Sequence, residues 1–124
     1  MPDSTRLRLK RGDTAPQFRA QCRGKVYDTN GAQVGTPGAD GLTPVDLTGA
    51  TARLLMRSSG GAAQSLALVV EPGVTGWVRH DWTAQETATA ASYRSEVEVT
   101  FPDGRKQTFP ADGYVTVEII TDLG

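Results

Sequence analysis

Apolar and polar residues alternate along much of this chain, and a period of two is the mark of half-buried strands. The stretch Tyr93-Arg94-Ser95-Glu96-Val97-Glu98-Val99-Thr100-Phe101 is the clearest case. Tyr93, Val97, Val99 and Phe101 fall on one face, and Arg94, Glu96, Glu98 and Thr100 on the other. Pro102-Asp103-Gly104-Arg105 then reads as a turn, and Lys106 to Phe109 and Tyr114 to Ile120 resume the extended pattern. One face suits a core and the other water, as in antiparallel sheets.

The same rule predicts further strands upstream. In Arg6-Leu7-Arg8-Leu9-Lys10 the two leucines point inward, which suits a first strand at a sheet edge. Phe18, Ala20 and Cys22 share a face opposite Gln17, Arg19, Gln21 and Arg23, and Val26-Tyr27 extends that strand. Ala52, Leu54 and Met56 line another, followed by Leu66 to Val70 and by Gly76 to His80. Asp46 and Thr48 bracket Leu47 as a turn, with Gly49 free to take a positive φ and Leu47 plugging one end of the core. Thr83 and Glu86 stand three apart, the spacing of a capping box, so a turn or two of helix is expected there, anchored by Trp82. Residues 28–43 are rich in Gly, Asn, Asp, Thr and Pro and read as a long surface loop, with a short hairpin at Asn30-Gly31.

These elements predict an all-β fold: a small antiparallel β-sandwich, Ig-like, of about seven to eight strands with one short helical turn. Residues 1–14 form a basic N-terminal arm and the first edge strand, and residues 15–124 the sandwich domain. The expected core anchors are Trp82, Leu47, Tyr93, Val97, Val99 and Phe101. A buried Trp82 indole also wants a partner for its N–H.

Composition adds size and charge. The 124 residues suit one domain, and 14 glycines with 7 prolines make it turn-rich. A net charge of −1 gives no bulk attraction to nucleic acid or membrane. The average conceals an asymmetry, because Arg6, Arg8, Lys10, Arg11, Arg19, Arg23 and Lys25 face only Asp3 and Asp13 in the first 25 residues, while the remainder is acidic. A basic arm on an acidic body suits docking to an acidic neighbour, which makes Arg6, Arg8, Lys10 and Arg11 the candidate interface. The residues before Leu7 are expected to order on docking. No apolar run approaches the ~20 residues of a membrane span, and the start lacks the apolar stretch of a signal peptide, so a soluble protein made in the cytosol is expected.

Candidate chemistry changes little. Cys22 is the one cysteine and reads as a small buried hydrophobe. His80 is the one histidine; Asp81 adjoins it, but no placed nucleophile or oxyanion hole accompanies them. One His and one Cys far apart do not make a metal site. Glu96 and Glu98 share a strand face with Arg94 and read as a solvated surface rather than a catalytic pair. No phosphate-binding glycine loop precedes a helix, and aromatics do not interleave with basic residues. Arg11-Gly12-Asp13 spells an adhesion tripeptide but is ordinary turn chemistry. Catalytic, cofactor and metal residues are therefore expected to be absent, and the chain is expected not to be an enzyme.

Three stretches in order carry a resemblance: Leu9 to Pro16, Pro44 to Arg57 with its Asp46-Leu47-Thr48-Gly49-Ala50 corner, and Trp82 to Glu118. Together they resemble the N-terminal domain of the phage baseplate upper protein family. The resemblance covers nearly the whole chain apart from the 28–43 loop. It implies a non-enzymatic structural subunit of a bacteriophage virion, in the tail rather than the head, that connects or decorates through protein–protein contacts. Other virion proteins, or further copies of the chain in a homo-oligomer, would be its partners. The matched residues look like fold determinants and carry over no ligand role. Larger family members continue into fibre-like segments, and this chain stops at Gly124, so a decoration subunit of the capsid or neck is a second expectation. A third is a carbohydrate-binding sandwich contacting the host surface through Trp77, Tyr27 or Tyr114, with alternation leaving Trp77 free to face either way.

Overall fold

A computed structural model describes residues 6–24, 30, 41–58, 61, 63–72, 75–109 and 115–121. The described residues are all-β, in ten strands: β1 (Arg6–Lys10), β2 (Phe18–Gln21), β3 (Arg23–Gly24), β4 (Thr43–Pro44), β5 (Thr51–Ser58), β6 (Ala63–Val70), β7 (Trp77–His80), β8 (Ala91–Thr100), β9 (Lys106–Phe109) and β10 (Val115–Ile120). Eight form one mixed sheet that nearly closes into a barrel. Its order is β1-β10-β8-β5-β6-β7-β2, with β9 beside the far half of β8, and β3 and β4 pair separately.

β8 is the spine. Along one edge it pairs with β5 from Thr100 back to Tyr93. Its other edge is shared: β10 takes Ala91 to Ser95 and β9 takes Val97 to Thr100. The turn between β8 and β9 is closed by the Phe101 N–H donating to the Arg105 carbonyl at 2.8 Å and the Arg105 N–H donating to Asp103 Oδ1 at 3.0 Å. Gly104 takes φ +89° there, a conformation that side chains resist.

The core follows the alternation. Ala52, Leu54 and Met56 of β5 meet Leu68 of β6, Tyr93, Val97 and Val99 of β8, Phe109 of β9 and Val117 and Ile119 of β10, all buried. Leu9, Phe18, Cys22, Leu47, Val78 and Trp82 complete it. Among the expected anchors, Phe101 alone is only half-buried: it packs on the core's rim because β8 ends at Thr100 and Phe101 enters the turn. Leu47 is 1% exposed beneath a turn in which the Thr48 N–H and hydroxyl both donate to Asp46 Oδ1, at 2.9 and 2.6 Å.

Two expectations are corrected. The sheet is not purely antiparallel, because β1 lies parallel to β10 with Arg6 opposite Thr116 and Lys10 opposite Ile120. Parallel neighbours need a long crossover, and here nearly the entire chain supplies it. The segment after β7 also forms no helix among the described residues. The capping pair is present, with the Thr83 N–H donating to Glu86 Oε1 at 2.8 Å and the Glu86 N–H to Thr83 Oγ1 at 3.2 Å. It closes a turn instead, since the Thr87 carbonyl accepts the Gly12 N–H at 2.9 Å and the Thr87 hydroxyl donates to the Asp13 carbonyl at 2.8 Å. Thr87 thus serves the β1–β2 connection rather than a helical ladder.

The Val26-Tyr27 extension, the residues before Arg6, Tyr114 and nearly all of the 28–43 loop, its Gly31 included, lie outside the described residues.

Candidate interaction surface

β1 has a single strand neighbour among the described residues, so the other edge of its backbone pairs with no strand among them. Leu7 and Leu9 face inward opposite Val117 and Ile119, which turns Arg6, Arg8 and Lys10 to the outer face of the sheet, where all three are exposed. Glu118 stands between the arginines: Arg6 Nε lies 3.1 Å and Arg8 Nη2 3.4 Å from its Oε1. Exposed pairs of this kind contribute about 0–1 kcal/mol, so they orient the guanidinium groups more than they stabilise the fold. Arg11 follows, exposed, with its N–H donating to the Ile120 carbonyl at 2.8 Å and so lengthening the β1–β10 ladder.

The basic surface does not follow the first 25 residues as a unit. Arg19 and Arg23 sit elsewhere, each engaged locally. Arg23 donates to Gln21 Oε1 at 3.2 Å and to the Leu42 carbonyl at 2.8 Å. Arg19 lies on the outer side of β2, its guanidinium carbon 3.9 Å from the ring centroid of Trp77, and it reaches Glu71 through two hydrogen bonds of 2.7 and 3.0 Å. The Arg19 bond holds the Glu71 carboxyl below its ordinary value. Lys25 lies outside the described residues.

What β1 joins instead is basic charge from distant parts of the chain. Arg53 and Arg57 of β5, Arg94 of β8 and Lys106 of β9 share the outer face with Arg6, Arg8 and Lys10, as the strand registers require. Among the described residues, the strand carboxylates on that face are Glu96 and Glu98 of β8 and Glu118 of β10. Glu98 is engaged by Arg53 at 2.8 Å and Glu118 by the β1 arginines. The face is therefore basic although the chain as a whole carries −1. Sequence reasoning found the β1 part and missed the rest, because only cross-strand register places residues 53–57, 94 and 106 beside β1.

The other polar groups have structural work. Trp77 is half-buried and points outward, since Val78 is fully buried behind it, and Arg19 covers one face of its ring. His80 Nε2 lies 2.9 Å from Glu86 Oε1, and its ring meets Trp82 edge-on at 5.2 Å. Burial pulls the Glu86 carboxyl upward, but the Thr83 N–H, the His80 ring and the Thr83 hydroxyl outweigh it and hold the group below its ordinary value. Trp82 also meets Phe18 edge-on at 6.5 Å; contrary to expectation its buried Nε1–H has no partner among the described residues. Burial pushes the Cys22 thiol up to about 12, which leaves it protonated and unreactive. No three His, Cys, Asp or Glu side chains gather into a metal-binding group among the described residues.

Compared with known proteins, the chain matches no family model and no curated protein.

Proposed function

We propose that this chain is a non-enzymatic structural subunit of a bacteriophage virion, a tail or baseplate component that docks through the β1 edge. The observation that carries the docking reading is the β1 edge, unpaired with any strand among the described residues, with Arg6, Arg8, Lys10 and Arg11 exposed along it. An open edge offers backbone hydrogen bonds to an added strand, and the arginines and lysine select an acidic one. The virion setting is supported by the three-block resemblance to baseplate upper proteins. An Ig-like, two-layer division of the sheet belongs to the same proposal: β6 pairs with β5 up to Leu68 and with β7 at Val69 and Val70, the kind of transfer by which a strand passes between layers.

The test has two parts. Gold-labelled antibody against the chain, viewed by electron microscopy on intact virions, should mark the tail tip. Label on the head or neck would turn the reading to a capsid or neck decoration subunit, and no label at demonstrably accessible epitopes would sink the virion reading. The variant R6A/R8A/K10A/R11A should fold, losing at most about 1 kcal/mol per exposed pair, yet fail to enter particles. Normal incorporation would remove β1 as the docking element.

A further inference from the structure

β6 changes neighbours along its length. One edge pairs with β5 from Ala63 to Leu68. The other meets β7 only at Val69 and Val70. From Ala63 to Leu68 that second edge pairs with no strand among the described residues. An edge of this kind presents a row of backbone N–H and C=O groups that a further strand can use.

The side chains set this edge apart. Of the main sheet's strands, β1, β2 and β9 have one strand neighbour among the described residues, and each carries cations: Arg6, Arg8 and Lys10 on β1, Arg19 on β2 and Lys106 on β9. Charges on an edge discourage it from pairing with its own copy. β6 reads Ala63-Gln64-Ser65-Leu66-Ala67-Leu68-Val69-Val70 and carries none. Ala63, Ser65 and Ala67 form a row of short exposed side chains on the outer face, and Val69, which ends that row, is 48% exposed. On the inner face Leu66 is only half-buried, although Leu54 opposite it on β5 is fully buried. Leu66 thus keeps apolar surface that β5 does not cover.

We propose that this edge pairs with the same edge of a second copy of the chain, antiparallel across a twofold axis through Leu66. A twofold axis perpendicular to the sheet sets the two strands antiparallel and keeps their inner faces together. Charge selects the occupant. Two copies of one strand oppose like to like, which penalises a charged edge and leaves a neutral one free to pair. The same neutrality offers a charged partner strand no counter-ion. With the axis at Leu66 the two half-buried leucines meet, whereas an axis at Ser65 would set each against Gln64. Ser65 then faces Ala67 of the second copy on the outer side, and no long side chain holds the strands apart. The ladder ends at Leu68, where β7 takes over the edge. So short a ladder buries less than the roughly 1,200 Å² of a stable interface, so the pairing is weak in solution, with a Kd of roughly 10 μM to 1 mM. It uses neither β1 nor its cations, so it is independent of the docking reading and of the virion setting.

The test is sedimentation velocity on the intact chain from about 10 μM to about 2 mM. A reversible monomer–dimer equilibrium is expected. Added salt should not weaken it, because the paired edges hold no opposite charges. S65K/A67K sets lysine against lysine across the axis and should raise Kd about tenfold or more. S65K/A67E sets each lysine against a glutamate of the second copy and should return Kd to within about threefold of the parent. Both positions are exposed, so both variants should fold, which circular dichroism checks. A chain that stays monomeric throughout the range overturns the proposal. So does a dimer that S65K/A67K leaves intact, or one that salt dissolves. Failure of S65K/A67E to recover pairing removes the Leu66 register and the proposal with it.

Discussion

Arginine occupies both ends of this sheet, and its role differs completely between them. At the β2–β7 end, Arg19 lies over Trp77 and is gripped by both Glu71 oxygens. At the β1 end, exposed Arg6 and Arg8 share a single carboxylate, Glu118, and no aromatic ring is recorded over either guanidinium among the described residues. The chemical group is the same. What separates a structural arginine from one offered to a partner is the supply of carboxylates and aromatic surface within reach. Local sequence does not report that supply, since Arg19 and Glu71 come from separate strands.

The comparison breaks most completely if the β2–β7 end loses its anchor. Trp82 packs edge-on against Phe18 of β2 and His80 of β7, and W82A should destabilise the domain by about 3–5 kcal/mol in urea unfolding. For a domain of this size that is a large part of the total. A loss under about 1 kcal/mol would mean that the rings around Trp82 collapse to fill the space.

Gly76 gives the next largest effect. It enters β7 with φ +77°, and a Cβ there would stand 2.6 Å from the Cys22 carbonyl oxygen and 2.9 Å from that of Val45. Both obstacles are backbone. G76A should cost about 1–3 kcal/mol from the backbone conformation alone, with the contacts adding to it. It should also increase hydrogen exchange at the Cys22 amide, which donates to the Gly76 carbonyl at 2.7 Å. An unchanged melting temperature would contradict this close approach.

The smallest effect sharpens the comparison most directly. E71Q leaves Arg19 and Trp77 in place but removes the charge that joins them to Glu71. The folded-state Glu71 carboxyl titrates below its ordinary value of 4.5, so its contribution is complete above that value and disappears as pH falls through the lower folded value. The parent should therefore lose stability between those two values relative to E71Q, whose pH profile there should be flatter. Trp77 emission should shift over the same interval as Arg19 is released. Parallel profiles for the two proteins would show that the pair contributes nothing.

Much of the fold was legible because alternation is local. β8, β5 and β2 show their buried faces as the sequence does, and the Asp46–Thr48 and Pro102–Arg105 turns form where their residues announce them. The failures are non-local. Thr83 and Glu86 announce a capping box correctly, but whether a helix follows depends on Thr87, whose hydroxyl and carbonyl are engaged by residues 12 and 13. The parallel β1–β10 pair leaves no mark in either strand's pattern, because Leu7 and Leu9 would face inward under either pairing. Trp77 could have faced either way until Val78 was placed.

The parallel strand also bears on the order of events during synthesis. Arg8 and Glu118 stand 110 positions apart in the chain yet adjacent in the sheet. Contacts of such separation close late, since the intervening chain must first be organised. While the ribosome is still adding residues between them, β1 has emerged but its only strand neighbour among the described residues does not yet exist. The element with the most conspicuous positive charge is thus translated before every other described strand and must wait for β10 to complete its pairing. Its arginines and lysine keep that waiting edge hydrated and self-repelling, a guard against premature association that is needed most before the fold is complete.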